Sequence, residues 1–216
     1  MTVGEAEREG FAAFILRMRA RGIDSKALFS AMEATPRASF VPAEWKNWVW
    51  SNRTLPIECG ESFEPCDLQG AVLHALDLKP GLRVLEIGTG TGYTSAIIAR
   101  IAGRVLTLDR YKTLCKQAQQ RHEACGLSNI LVRQADGADG AADGPFDRIV
   151  VWAAFEELPR RFVDLLASGG IMVAPLGPGD DVQIMARFTK IGSRFERVDL
   201  ESVRLQPLIR GTAQAL

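Results

Sequence analysis

From residue 80 onward, the chain alternates between short apolar runs typical of β-strands and longer runs with the periodicity of helices. Strands that alternate with helices form a parallel sheet through right-handed crossovers, so this part is predicted to be α/β. The last strand-like runs follow one another through tight turns and predict an antiparallel end to the sheet. The predicted strands are residues 83–87, 104–108, 130–133, 148–152, 171–175, 182–189 and 195–200. The predicted helices of this part end at residue 101, span residues 112–125 and run through residues 162–166 to a stop at Gly169-Gly170.

The residues before this alternation predict a helical arm and an irregular loop. Apolar residues recur at helical spacing over residues 11–18, Asp24 or Ser25 can cap a second helix, and Asp67 can cap a third. With 216 residues, of which 47% are hydrophobic, the chain can bury the two parts against each other as one compact unit.

Composition narrows the class of function. Lys plus Arg and Asp plus Glu both total 26, so no net charge draws the chain toward nucleic acid. The longest apolar runs are too short to cross a bilayer and the N-terminus has no secretory core, so we expect a cytoplasmic protein without a membrane partner. The four cysteines form no CxxC pair and only two histidines are present, which predicts reduced thiols and no metal site.

The most specific motif is the segment Glu86-Ile87-Gly88-Thr89-Gly90-Thr91-Gly92-Tyr93, where the first predicted strand runs into a glycine turn and a helix. Glycines allow a backbone to approach a ligand closely. A dinucleotide site requires G-x-G-x-x-G, but Tyr93 occupies the place of the last glycine. The acid-x-G-x-G-x-G form instead resembles motif I of the class I S-adenosylmethionine-dependent methyltransferases.

This resemblance implies a Rossmann-like class I methyltransferase fold, with a mostly parallel seven-stranded sheet and helices on both faces. It also implies S-adenosyl-L-methionine as the cofactor and S-adenosyl-L-homocysteine as the product. The motif residues would hold the methionine end, Asp109 beside Arg110 would hold the ribose, and Asp136-Gly137 would hold the adenine. The cofactor residues predicted in this way are Glu86, Gly88, Gly90, Gly92, Tyr93, Asp109, Arg110, Asp136 and Gly137.

Several separated segments resemble one family more narrowly, the protein-L-isoaspartate (D-aspartate) O-methyltransferases, which esterify damaged aspartyl residues so that they can be repaired. The similar segments are Arg21-Gly22-Ile23-Asp24, Pro36-Arg37-Ala38-Ser39-Phe40-Val41-Pro42, Leu55-Pro56-Ile57, Asp136-Gly137, Ala153-Ala154 with Pro159, and Val203-Arg204-Leu205-Gln206-Pro207-Leu208. The resemblance implies a helical arm and substrate loop over residues 1–79 and a cofactor-binding domain over residues 80–216. It implies an isoaspartyl peptide or protein as the partner, and we expect a monomer or weak dimer.

The departures from the family pattern lie in the substrate loop. Glu64 stands where the family has a serine, and Ser62 could replace that hydroxyl if the loop shifts by two residues. An ionised Glu64 would repel an acceptor carboxylate, since two like charges about 4 Å apart cost on the order of 4 kcal/mol at an effective dielectric of 20. Trp50 and Trp152 also replace smaller or more polar family residues.

Three hypotheses remain open at this stage. The first is methylation of isoaspartyl carboxylates, with Ser62 and Glu64 as the catalytic candidates. The second is the same fold redirected to another acceptor, such as a small molecule, or a catalytically weak paralogue, because Glu64 replaces the serine. The third is a binding protein that keeps the cofactor as a structural ligand. The candidate acceptor-side residues are Trp50, Trp152, Ala154 and Arg204.

Overall fold

The computed structural model describes residues 3–213, and its centre is a twisted seven-stranded sheet with a separate two-stranded ribbon. Every strand predicted from the sequence is present, with ends that differ by a few residues. The strands are β1 Leu55–Pro56, β2 Ser62–Phe63, β3 Arg83–Ile87, β4 Arg104–Asp109, β5 Ile130–Gln134, β6 Phe146–Val151, β7 Leu166–Leu176, β8 Gln183–Ile191 and β9 Arg194–Val203.

The helices of the described residues lie before β3 and between the parallel strands. They are α1 Val3–Ala20, α2 Lys26–Glu33, α3 Cys66–Ala75, α4 Tyr93–Ile101, α5 Lys112–Ala124 and α6 Arg161–Leu165. Short 3₁₀ turns span Arg37–Phe40, Ala43–Trp48, Glu58–Gly60 and Gly137–Asp139. Ser25 caps α2, because its side chain accepts a hydrogen bond from the backbone N–H of Leu28.

The strand order of the large sheet is β5-β4-β3-β6-β7-β8-β9. Pairing is parallel from β5 to β7 and antiparallel where β8 joins β7 and β9 joins β8, which confirms the predicted mostly parallel sheet with an antiparallel end. The chain runs outward from β3 to β5 and then returns to the other side of β3 as β6. Such a reversal opens a crevice at the carboxyl ends of the central strands, where α/β proteins bind ligands.

Two local predictions were wrong. Asp67 does not cap α3, since that helix begins one residue earlier after Pro65, and its carboxylate instead forms an ion pair with Arg17 of α1 at 2.8 Å. Gly169-Gly170 does not end a helix, since both glycines lie inside β7. They allow the register shift by which Leu166 pairs with Phe146 but Ile171 pairs with Arg148.

The arm packs onto the face of the sheet that carries α4. Phe14, Phe40 and Leu73 from the arm share one buried cluster with Tyr93 and Ile97 of α4. A second cluster covers the opposite face, around Phe162 and Phe146. The arm and the sheet therefore bury their apolar surfaces in a common core.

Arg37 is a buried cation between the arm and the substrate loop, with 1% of its surface exposed. Its Nε donates to the carbonyl of Val49 at 2.6 Å, and one Nη donates to the carbonyl of Glu64 at 2.7 Å. The other Nη donates to the side-chain oxygen of Gln69 in α3. The guanidinium also lies 4.7 Å from the centre of the Tyr93 ring. One side chain thus connects the arm at Val49, the substrate loop at Glu64, and the helices α3 and α4.

We expect Arg37→Met to lower the free energy of unfolding by at least about 3 kcal/mol, because it leaves three buried oxygens without a donor at about 1–3 kcal/mol each. Urea unfolding followed by circular dichroism measures the change. Arg53→Met is the matched control, since Arg53 is exposed and stacks on Trp48, and it should change stability by no more than about 0.5 kcal/mol. A loss below about 1 kcal/mol for Arg37→Met would contradict the role given to this cation.

Candidate active site

Two adjoining cavities open at the carboxyl edge of β3, β4 and β6. The first, here called the β4 cavity, has a volume of about 100 Å³, and the second, the loop cavity, has a volume of about 50 Å³. Residues that line only the β4 cavity include Ile87, Leu108, Asp109, Arg110, Leu114, Ala135, Gly137, Leu208 and Ile209. Residues that line only the loop cavity include Phe63, Glu64, Gln69, Thr89, Thr91 and Tyr93. Six residues line both and define the junction of the cavities: Glu61, Ser62, Gly88, Gly90, Trp152 and Gln206.

The three glycines of the turn have different surroundings, although all have positive φ. A side chain at Gly88 would lie 3.1 Å from Cβ of Trp152, and one at Gly90 would meet nothing closer than Ile57 at 3.8 Å. A side chain at Gly92 would lie 2.7 Å from Nε2 of His122, on the side of α5. Gly88 and Gly90 therefore expose backbone to the junction, whereas Gly92 allows the turn to pack on α5 and lines neither cavity.

Glu86 lies fully buried behind the glycine turn and does not line either cavity. Its carboxyl accepts hydrogen bonds from the Thr94 hydroxyl at 2.5 Å, the Thr107 hydroxyl at 2.7 Å and the Trp152 indole N–H at 3.2 Å. The Thr107 hydroxyl is in turn 2.7 Å from that of Thr89. Burial raises the pKa of Glu86 to about 7, although these hydrogen bonds act in the opposite direction. Glu86 thus shapes the site indirectly, by fixing the side chains around it.

Asp109 ends β4 with its carboxylate facing the β4 cavity. One oxygen accepts from the backbone N–H of Gly90 at 2.9 Å and the other from the backbone N–H of Tyr111 at 3.0 Å. Burial raises the pKa of Asp109, and these backbone hydrogen bonds oppose the shift. Each carboxylate oxygen retains a lone pair, so the group can accept hydrogen bonds from a ligand's hydroxyls. Arg110 lines the same cavity.

Asp136 is oriented differently from its predicted role. One oxygen accepts from the backbone N–H of Ala138 at 2.8 Å and the other from the backbone N–H of Gly211 at 2.7 Å, so the carboxylate faces the backbone rather than the β4 cavity. The neighbouring Gly137 does line the cavity, and a side chain there would collide with Ile87 at 2.3 Å. The structure therefore brings Gly137, but not the side chain of Asp136, to the cavity wall.

The substrate loop brings Ser62 and Glu64 to the cavities through the β1–β2 ribbon, in which Leu55 pairs with Phe63. Ser62 lies at the junction, and Glu64 lines the loop cavity with 9% of its surface exposed. Burial raises the pKa of Glu64 to about 7; the charge of Arg37 lowers it and the carboxylate of Glu61 raises it. The carboxyl group of Glu64 is therefore neutral in a large fraction of molecules near neutral pH.

Three predicted acceptor-side residues lie outside both cavities, so the structure corrects their placement. Trp50 packs in the arm, where Phe11 is one of its ring contacts at 5.2 Å. Ala154 is buried, and its backbone pairs with the segment around Pro207. Arg204 points into solvent, with 68% of its side chain exposed. Aromatic packing therefore accounts for the position of Trp50, backbone pairing for that of Ala154, and solvation for that of Arg204.

Sequence reasoning missed two residues at the junction. Glu61 belongs to the substrate loop, and burial raises the pKa of its carboxyl. Gln206 follows β9, and its side-chain N–H donates to the carbonyl of Gly60 at 3.0 Å. No local spacing could indicate this contact, because the two residues are 146 positions apart in the chain.

We also searched residues 3–213 for membrane-spanning helices, metal sites and disulfides. No helix in that range is both long and apolar enough to cross a membrane. Nor do the described His, Cys, Asp and Glu residues form a group of three or more that could hold a metal ion. All four cysteines are free thiols.

The sequence matches known proteins over almost its whole length. The profile of the family described as protein-L-isoaspartate(D-aspartate) O-methyltransferase matches residues 10–213. A protein-L-isoaspartate O-methyltransferase from Rhizobium meliloti is 46% identical over 202 residues, which cover 93% of this chain and 99% of the relative. A protein of the same name from Azorhizobium caulinodans is 42% identical over 217 residues, covering 100% of both chains.

A solved structure from Plasmodium falciparum has the same fold. It is described as a protein-L-isoaspartate O-methyltransferase in complex with S-adenosyl-L-homocysteine. The superposition has a TM-score of 0.79 at 23% identity and covers 91% of this chain and 97% of the other. The expected Rossmann-like methyltransferase fold is thereby confirmed.

We expect Gly92→Ala to lower the free energy of unfolding by about 2 kcal/mol or more. The new side chain would add a close contact with α5 to the cost of a positive φ, which alone is about 1–2 kcal/mol. Gly22→Ala is the matched control, because Gly22 also has positive φ (78°) but nothing within 4 Å of the added carbon. Urea denaturation of both variants separates the two effects. Equal losses of stability in the two variants would show that the close contact of the added Cβ with α5 costs no stability.

Proposed function

Because the chain belongs to the protein-L-isoaspartate (D-aspartate) O-methyltransferase family, we propose that it transfers the methyl group of S-adenosyl-L-methionine to the carboxylate of L-isoaspartyl residues in damaged proteins. The observation that carries the proposal is the junction, where a cavity beside Asp109 meets a cavity beside the substrate loop at the glycine turn. A donor and an acceptor can meet only where two such cavities join.

The β4 cavity fits the cofactor by the chemistry of its walls. Leu108, Leu114 and Ile209 provide apolar surface for a purine, and Asp109 provides acceptors for ribose hydroxyls. Gly88 allows close approach of backbone at the junction. The cofactor supplies an activated methyl group on a positively charged sulfur. The residues of the chain bind and orient it, with Asp136 acting through the turn Gly137–Asp139, which its carboxylate caps.

The acceptor needs no general base, because an isoaspartyl carboxylate is already ionised at neutral pH. The residues around the loop cavity then have two tasks, which are to hold one carboxylate oxygen in line with the methyl group and to exclude water. Ser62 can donate a hydrogen bond from the junction without adding charge.

Glu64 assists the reaction in its neutral form. A protonated carboxyl donates a hydrogen bond, as a serine hydroxyl does, whereas an ionised one would repel the acceptor by on the order of 4 kcal/mol at about 4 Å. The burial of Glu64 and the nearby carboxylate of Glu61 favour the neutral form. This chain would therefore keep the activity of the family with a carboxylic acid in place of the loop hydroxyl.

A second candidate function is methylation of a small-molecule acceptor by the same site, and the observation that favours it is again Glu64. A carboxyl at the loop cavity could bind a cationic or hydroxyl-bearing molecule in its ionised form. For either acceptor we propose a cytoplasmic location, which suits the four free thiols. The monomer or weak dimer expected from the sequence stays a prediction.

The decisive assay of the function is methyl transfer from labelled S-adenosyl-L-methionine to an isoaspartyl peptide and to its normal aspartyl twin. We expect label in the isoaspartyl peptide at least about a hundredfold above its twin, and loss of that transfer in Asp109→Ala. Arg194→Ala is the matched control and should keep full activity, because Arg194 is exposed at the β8–β9 turn, outside both cavities. Cofactor binding without transfer to either peptide would instead direct the search to other acceptors.

The pH dependence tests the role of Glu64. Because the pKa of Glu64 is raised to about 7, its carboxyl is neutral below that pH and ionised above it. The KM for the isoaspartyl peptide, measured at saturating cofactor, should therefore rise up to tenfold per pH unit as the pH increases above about 7. In Glu64→Gln, which cannot ionise, KM should be nearly constant between pH 6 and about 8.5. An unchanged pH profile in Glu64→Gln would remove Glu64 from the mechanism.

A further inference from the structure

Trp152 has the largest side chain at the junction, and it is the residue directly after β6. Its backbone N–H donates to the carbonyl of Ile87 at 2.9 Å, directly after β6. Its indole N–H donates to the carboxyl of Glu86 at 3.2 Å. Its Cβ is so close to Gly88 that a Cβ added to that glycine would lie 3.1 Å from it. The Trp152 residue is thus fixed at its backbone by pairing with β3 and at its indole N–H by a buried carboxyl.

The other junction residues cannot form a rigid wall of comparable size. Gly88 and Gly90 have no side chains, and Glu61, Ser62 and Gln206 are shorter side chains on segments outside the central strands. The loop cavity, with a volume of about 50 Å³, meets the β4 cavity at these six residues. The free space at the junction therefore depends mainly on the indole of Trp152.

We propose that Trp152 is a specificity-determining residue that restricts the transferred group to methyl, by filling the space that a larger alkyl group on the sulfonium donor would need. This inference rests on the proposed function, since it concerns the group that crosses the junction. It differs from the acceptor-side role first predicted for Trp152, because the selectivity concerns the donor.

The step itself is the same for any alkyl group. A carboxylate oxygen forms a bond to the alkyl carbon while the bond from that carbon to sulfur breaks, and the electron pair of the broken bond stays on sulfur. The positive charge of the sulfonium and the negative charge of the carboxylate disappear together, and no proton moves. Removing the indole should therefore extend the range of donors without requiring new chemistry.

The test compares two donors that differ only in the alkyl group, S-adenosyl-L-methionine and its S-allyl analogue. Isothermal titration calorimetry gives the Kd of each for the native protein, Trp152→Phe and Trp152→Ala. We expect the ratio of the allyl Kd to the methyl Kd to fall at least tenfold in Trp152→Ala. Trp152→Phe keeps a smaller ring, so its ratio of Kd values should lie between those of the native protein and Trp152→Ala. If the alanine variant does not fold, the phenylalanine variant is compared with the native protein instead.

Trp48→Ala is the matched control, because Trp48 is 47% exposed and lies outside both cavities. Its ratio should stay within about twofold of the native value. If both donors weaken alike in Trp152→Ala, so that the ratio does not change, Trp152 is only a structural residue and the proposal is overturned. A fall in the ratio of the Trp48→Ala control as large as that in Trp152→Ala would overturn it as well.

Transfer to an isoaspartyl peptide provides a second readout. For each protein, the kcat/KM of methyl transfer is divided by the kcat/KM of allyl transfer. This ratio should be at least tenfold smaller in Trp152→Ala than in the native protein. If the native protein transfers methyl to no isoaspartyl peptide, the proposed function fails, but the Kd ratios still decide the role of Trp152. If methyl transfer proceeds and the allyl ratios do not change, only the inference on Trp152 fails.

Discussion

The hydrogen bonds of the buried Arg37 guanidinium hold the acceptor side of this protein together. Arg37 donates to the carbonyl of Val49 in the arm, to that of Glu64 in the substrate loop and to the side chain of Gln69, and it stacks on Phe63 and Tyr93. A buried cation needs such a complete set of partners, because desolvation without them costs several kcal/mol. The loop is therefore anchored at Glu64, a residue that also lines the loop cavity.

On the cofactor side, the buried carboxyl of Glu86 fixes its neighbours as Arg37 does on the acceptor side. Glu86 accepts hydrogen bonds from α4, from β4 and from Trp152 after β6, so one group sets the relative positions of the glycine turn and the junction wall. Burial raises the pKa of both Glu86 and Glu64 to about 7, but only Glu64 lines a cavity. The same physical effect thus supports the framework at one position and acceptor chemistry at the other.

Much of this could be predicted from the sequence, because local patterns carry it. Alternating strands and helices predicted the parallel sheet, and the glycine turn with Asp109 at the end of the next strand predicted the sheet edge at which the two cavities open. Patterns did not predict contacts between distant segments. Gln206 reaches Gly60 across 146 residues, Gly211 occupies an oxygen of Asp136, and Trp50 turns into the arm. These outcomes depend on how loops pack, which residue spacing does not encode.

Desolvation of Glu64 makes a carboxylic acid compatible with an anionic acceptor at this site. Direct titration of the Glu64 side chain tests it, by carbon NMR of protein labelled at the glutamate carboxyl carbons. The signal of Glu64 is identified by its absence in Glu64→Gln. We expect a titration midpoint near pH 7 in the unliganded protein. A midpoint near the ordinary glutamate value of about 4.3 would show that Glu64 is ionised at neutral pH and does not act as a hydrogen-bond donor to the acceptor.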